Sequence, residues 1–224
     1  IAEFVFAQVL SVFHPTQERL TAQRTKAWES FEFRDVDGST WFIYGMGHVG
    51  AAVARRAQAF GAHVIGHRRT TSERDPADEM VDAQGVLSAV ARADVVVMAA
   101  ALNAANAGIV DETFVNALKP DSVLVNIGRG GLVNEPALLA GLDAGHPSVA
   151  ILDVFEEEPL PEASPFWSHP RVRATAHCAG ASAGTGWRGD ELFLRNLAHY
   201  LDGEPLEFEV DFGALQASQL PTAV

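Results

Sequence analysis

Six short apolar runs recur along the middle of the chain: Trp41–Tyr44, Ala62–Ile65, Asp94–Met98, Ser122–Asn126, Val149–Leu152 and Val172–Thr175. Strands that read as unbroken apolar stretches are buried on both faces, and strands spaced by helices pair in parallel. The intervening helices read as Val49–Phe60, Asp111–Leu118 ending before Lys119-Pro120, and Glu135–Ala144 ending at Gly145, with a last one from about Asp190 to Leu201. The expected fold class is therefore α/β, a doubly wound parallel sheet.

Composition narrows the partners. At 224 residues and 48% apolar content the chain is long enough for a substantial core. A net charge of −13 argues against binding along a nucleic-acid backbone, which needs Lys and Arg to displace counterions. The single cysteine, Cys178, cannot form an internal disulfide, and the expected compartment is the cytoplasm. The apolar stretch Ile1–Phe13 contains Glu3 and Gln8, is shorter than the roughly 20 residues that span a bilayer, and lacks a signal-peptide pattern, so no membrane association is expected. Ile1 opens the chain inside a helical pattern, which leads us to expect further sequence before it.

Gly45-Met46-Gly47-His48-Val49-Gly50 follows the first apolar strand directly and opens a helix, the context that a dinucleotide fingerprint requires. The first glycine permits the tight turn, the second lets backbone amides approach a pyrophosphate, and the third lets helix and strand pack closely. The helix N-terminus, at His48 and Val49, offers its positive dipole end to the phosphates, and any contact from His48 is through its backbone. A glycine-rich turn without a ligand is the plainer alternative. On the first reading residues 40–185 form a Rossmann-like NAD(P)-binding domain. Residues 1–39 form an N-terminal helical arm of two pieces, Ile1–Leu10 and Thr16–Trp28, expected to pack on another domain or another subunit. Residues 186–224 form a C-terminal helix and tail.

The acid that normally ends the second strand of such a domain is absent; Gly66-His67-Arg68-Arg69-Thr70 stands there. Guanidinium forks pair bidentately with phosphate, so Arg68, Arg69 and Thr70 suit the 2′-phosphate of NADP(H), with NAD(H) as the alternative cofactor. A solvated basic turn would have the same composition.

Three residues at later strand ends carry chemistry. Arg129, in the loop Asn126–Val133, can fix a carboxylate and polarise the carbonyl beside it. His177 can protonate a carbonyl oxygen while hydride reaches its carbon, and Glu158 beside it favours the protonated imidazole. The remaining histidines, His14, His63, His67, His146, His169 and His199, show no metal-ligand spacing, and no metal is expected. A thiol hydrolase built on Cys178 is disfavoured, because neighbours on a strand point to opposite faces. Cys178 reads as a small packing residue and Trp167 as a packing anchor, with a place in a substrate pocket as its alternative.

With Gly45–Gly50, Val96–Met98, Gly108–Asp111, Lys119-Pro120, Asn126–Val133, Leu152–Leu160 and His177–Gly180 in view, the chain resembles the D-isomer-specific 2-hydroxyacid dehydrogenases. That family includes glyoxylate/hydroxypyruvate reductases, phosphoglycerate dehydrogenases and D-lactate dehydrogenases. The resemblance implies that Arg129 binds a 2-oxo acid, that His177 is the general acid/base and that Glu158 is its partner. It implies that Asp153 faces the nicotinamide carboxamide, that Ile127 and Gly128 line the nicotinamide ribose, and that Ala100 and Gly180 border the cofactor. A homodimer reducing a small 2-oxo acid is the expected protein; a dinucleotide-sensing corepressor-like scaffold is the alternative.

Departures from the family pattern are Ala176, where a proline usually precedes the histidine, and Ala100-Ala101-Leu102-Asn103-Ala104 in place of a proline-containing loop. Trp41, Phe42 and Tyr44 are bulkier than is usual in the first strand. The resemblance also implies an N-terminal substrate domain of about a hundred residues, a common domain size, whose carboxylate-binding loop lies outside these 224. It implies that the arm of residues 1–39 is a dimerisation element and that residues 186–224 pack toward this substrate domain.

Overall fold

The computed structural model describes residues 1–69 and 75–209. Two helices, α1 (Ala2–Phe13) and α2 (Thr16–Thr25), lead into β1 (Thr40–Tyr44), α3 (His48–Ala59), β2 (His63–His67), β3 (Glu79–Val81), α4 (Val86–Arg92) and β4 (Val95–Met98). The second half runs α5 (Glu112–Ala117), β5 (Val123–Asn126), α6 (Glu135–Ala144), β6 (Val149–Leu152), β7 (Val172–Ala174) and α7 (Thr185–Asp202). Among the described residues the sheet has seven strands, all parallel, in the order β3-β2-β1-β4-β5-β6-β7. Strand order reverses direction between β1 and β4, which is where sheets of this kind open a crevice for ligands.

Helix boundaries follow from local chemistry. Asp111 accepts the N–H of Phe114 at 2.8 Å and starts α5; Asn134 accepts that of Ala137 at 3.0 Å and starts α6. Gly145, at φ 99°, ends α6 in the left-handed region that a side chain would resist.

Alternate residues of each central strand enter opposite cores. Phe42, Ile65, Val96, Met98, Leu124 and Leu152 face one layer with residues of α4, α5 and α6; Trp41, Ile43, Val64, Val97, Val125 and Ile151 face the other with residues of α1 and α3. Both faces are dry, which is why the strands read as unbroken apolar runs.

Several expectations change. The second strand lies later than Ala62–Ile65, because Gly66 and His67 continue it; a Cβ on Gly66 would come within 2.5 Å of Met46 Cε. The edge strand β3 and the short helix α4 were not anticipated: three half-buried residues and seven helical ones are too short to show a period. The last helix begins at Thr185 rather than near Asp190. The first helix packs on the domain itself, with Val5, Phe6, Val9 and Phe13 buried in its core. Phe6 stacks on Trp41 with ring centroids 4.9 Å apart, which gives that bulky strand residue its role as the seat of α1.

By contrast α7 buries no residue, and Trp187, Phe193, Leu194, Leu197, Tyr200 and Leu201 are exposed along it. Among the described residues no helix is long and apolar enough to cross a membrane.

Candidate active site

One row of registered residues, Val81, His67, Tyr44, Met98, Asn126, Leu152 and Ala174, crosses the whole sheet, and each is the last residue of its strand. All seven strands therefore end level. Gly45, Arg68, Ile127 and Asp153 each come one residue after this row, Ala100 two, and Arg129 and His177 three. Shared register brings to one edge side chains scattered over more than a hundred positions.

The glycine loop is built as its sequence requires. Gly45 has φ 108°, and a Cβ there would lie 2.4 Å from the backbone nitrogen of Ala100; one on Gly50 would lie 2.1 Å from the carbonyl oxygen of Gly45. At Gly47 a Cβ would meet nothing within 4 Å, so the loop opens outward at the N-cap of α3. No side chain caps that helix, which leaves its first-turn N–H groups for an anion. His48 is exposed, and its ring meets the edge of Phe208 at 4.8 Å. The cradle fits a dinucleotide pyrophosphate.

At the end of β2, Arg68 Nη1 donates to Asp75 Oδ1 at 2.8 Å, and the Asp75 side chain is only 6% exposed. The carboxylate thus anchors one arm of the guanidinium. Arg69 is exposed, and Thr70 lies outside the described residues. His67 stacks on Tyr44 and its Nδ1 lies 3.0 Å from the carbonyl oxygen of Val81.

The β4 and β5 ends meet at Ala100, whose carbonyl oxygen would lie 2.8 Å from a Cβ on Gly128. Asn126, almost fully buried, accepts the Gly128 N–H at 3.1 Å and donates to the carbonyl of Arg129 at 3.0 Å. It closes the turn that follows buried Ile127 and presents Arg129, which is exposed with Nη1 2.7 Å from the Gly128 carbonyl. Gly130 is required by close approach: a Cβ would sit 1.8 Å from the carbonyl carbon of Phe155. The loop bearing Arg129 is thereby pressed onto the loop that leads to Glu158.

Glu158 and His177 meet, with Oε2 2.7 Å from Nδ1. Oε1 of the same carboxylate accepts the N–H of Phe155 at 3.0 Å. Partial burial pushes this carboxyl up, but the hydrogen bonds from His177 and Phe155 outweigh it and hold it below the usual glutamate range. Glu156 and Glu157 are exposed, as expected of the solvated members of the run.

Asp153 is buried, and its carboxylate accepts from Thr175 Oγ1 at 2.6 Å, Cys178 N at 2.9 Å and Ala179 N at 2.8 Å. Gly180 is exposed just beyond this turn. The contacts that sequence reasoning missed are Asp75 behind Arg68, Asn126 under Arg129 and Thr175 beside Asp153. Asn126 and Thr175 had a visible signal, a hydrogen-bonding side chain at the end of an apolar run.

Two side readings are corrected. Cys178 is exposed rather than packed, and it lies with His177 in a turn beyond β7, not on a strand. Trp167 is 54% exposed and donates through Nε1 to the Pro161 carbonyl at 3.0 Å, which ties a loop together instead of filling a core.

Residues 6–179 match the family model described as D-isomer specific 2-hydroxyacid dehydrogenase, NAD binding domain. Glyoxylate/hydroxypyruvate reductase A of Yersinia enterocolitica is 33% identical over 180 residues, 80% of this chain and 58% of that protein. A D-isomer specific 2-hydroxyacid dehydrogenase family protein from Aeromonas salmonicida superposes with a TM-score of 0.86 at 31% identity, covering 94% of this chain and 67% of that one. An NADPH-dependent glyoxylate/hydroxypyruvate reductase from Sinorhizobium meliloti, in complex with NADP and sulfate, gives 0.82 at 30% identity with the same coverage. The chain spans little more than half the length of the Yersinia relative.

Proposed function

The chain belongs to the D-isomer specific 2-hydroxyacid dehydrogenases, and from that premise we propose that it reduces a small 2-oxo acid with NADP(H) in preference to NAD(H). Glyoxylate and hydroxypyruvate are the first candidates, because relatives named for those substrates match most of the chain.

The observation that carries the reading is the hydrogen-bonded Glu158–His177 pair, level with Arg129 beyond the same edge of the sheet. With Nδ1 engaged by Glu158, Nε2 is the ring nitrogen left to hold a proton for the substrate oxygen. Arg129 offers a guanidinium to the substrate carboxylate. The glycine cradle at the N-terminus of α3 holds the pyrophosphate, Arg68 and Arg69 receive the 2′-phosphate, and Ala100, Ile127, Gly128, Asp153 and Gly180 border the nicotinamide half. A nicotinamide bound there supplies the hydride.

The apolar face of α7 is the surface on which a substrate domain would rest, closing the cleft over His177. Homodimerisation through the segment around α2, where Trp28 is fully exposed, and a cytoplasmic location belong to the same reading.

The test is oxidation of NADPH and NADH by the intact protein with glyoxylate and hydroxypyruvate. Turnover favouring NADPH, abolished in His177→Ala with NADPH binding kept, is the expected result. Cofactor binding without turnover in the wild type would favour a dinucleotide-sensing scaffold.

A further inference from the structure

His177 has φ 50°, a left-handed conformation that costs a residue with a side chain roughly 1–2 kcal/mol and persists only where the surroundings impose it. What imposes it here is Asp153. The Asp153 carbonyl accepts the His177 N–H at 2.8 Å, and its buried carboxylate takes the N–H groups of Cys178 and Ala179 just after the histidine and the hydroxyl of Thr175 just before it.

Of these donors only Thr175 contributes a side chain. Its own N–H donates to the Leu152 carbonyl at 2.9 Å, so its backbone continues the β7 pairing while its hydroxyl crosses to Asp153 at 2.6 Å. The residue between Thr175 and His177 is Ala176, which imposes no ring constraint of its own, so the shape of this turn depends on the clamp.

We propose that Thr175 is a positioning residue: its hydroxyl locks the Asp153 carboxylate in the rotamer that holds the N–H groups of Cys178 and Ala179, and through that turn sets the preceding His177 against Glu158. The proposal rests on the reductase reading for its catalytic consequence, though not for its structural one. Without the hydroxyl the carboxylate keeps the N–H of Cys178 on Oδ1 and that of Ala179 on Oδ2, but loses the side-chain bond that ties it to the end of β7 and fixes its rotation.

The test compares Thr175→Val, which keeps shape and removes the hydroxyl, with Thr175→Ser, which keeps the hydroxyl, in the intact protein. For Thr175→Val, kcat with NADPH and glyoxylate should fall about tenfold to a hundredfold, the scale of a catalytic group displaced by about 1 Å, and KM for NADPH should change by less than kcat does, because Asp153 borders only the nicotinamide end. Amide exchange at Cys178 and Ala179 should quicken by about tenfold or more, since their acceptor is loosened. Thr175→Ser should recover most of both. Wild-type kcat and exchange in Thr175→Val, or a serine variant no better than the valine one, would overturn the proposal. Absence of turnover in the wild type would fault the reductase reading alone, because amide exchange would still decide whether Thr175 holds the loop.

Discussion

Nδ1 of His177 lies 2.7 Å from Oε2 of Glu158, although the two residues leave different strands and only Glu158 is held by its own turn, through the N–H of Phe155. The carboxylate is therefore oriented through Oε1 by its own turn and through Oε2 by the imidazole. Side chains 34% and 51% exposed keep this pair within reach of a substrate while leaving it partly screened by water.

Replacing Glu158 with Gln keeps the shape and removes the charge. Its expected effect on kcat is a fall of about tenfold or more, smaller than the roughly 10²- to 10⁴-fold contribution of a general acid that His177→Ala removes. Steady-state kinetics of the two variants check the ranking, and equal losses would contradict a supporting role for Glu158.

The same carboxyl predicts a pH dependence of stability. It is held below its ordinary value in the folded chain, so its contribution is fully present above the usual glutamate range and is lost as pH falls through the lowered folded value. Thermal melting of the wild type should decline on acidification more steeply than that of Glu158→Gln. The difference is expected to be small, because the pair is partly exposed.

The glycine loop separates folding from binding. Gly50→Ala places a Cβ 2.1 Å from a backbone oxygen and should destabilise by about 1–3 kcal/mol or more. Gly47→Ala meets no atom of the protein within 4 Å and should change stability by no more than about 0.5 kcal/mol. It should nevertheless weaken NADPH binding, because the methyl enters the space proposed for the pyrophosphate. Denaturation and cofactor titration on both variants read the two effects independently.

Arg68 should govern cofactor choice. Arg68→Ala is expected to weaken NADPH binding by about 1.5–3 kcal/mol, the range for a charge-assisted hydrogen bond, and to leave NADH binding nearly unchanged. Equal losses with both cofactors would remove the 2′-phosphate role. Since Asp75 already engages Nη1, its neutralisation in Asp75→Asn should also weaken NADPH binding if the ion pair orients the guanidinium.

Much of this protein is written locally in the chain. Unbroken apolar runs such as Val95–Met98 and Val123–Asn126 encode strands buried on both sides, Gly145 encodes a helix end, and the spacing of Gly45, Gly47 and Gly50 encodes the turn from β1 into α3. Each of these depends on torsion angles and burial within a few neighbouring residues. The strand-end placement of Arg129, Glu158 and His177 followed from the same pattern, because parallel strands must end at a common edge.

The pairing of Glu158 with His177 was expected from the sequence, but the other contacts at those ends were decided by tertiary structure alone. The bond of Thr175 to Asp153, the anchoring of Arg68 by Asp75 and the seating of Phe6 on Trp41 join residues that are not neighbours in sequence; even where a polar side chain at a strand end signals a contact, as at Thr175, the sequence does not say with which residue. β3 and α4 are too short to carry a period; β3 forms because the edge of β2 offers it a partner, and α4 because Val86, Ala89 and Val90 bury themselves in the core layer on one face of the sheet. Hydrogen bonds and ring contacts of this kind are fixed by strand register and packing over the whole domain. A local pattern can place a carboxylate at a strand end, but register decides whether it meets a ligand, an arginine or the loop that carries the histidine.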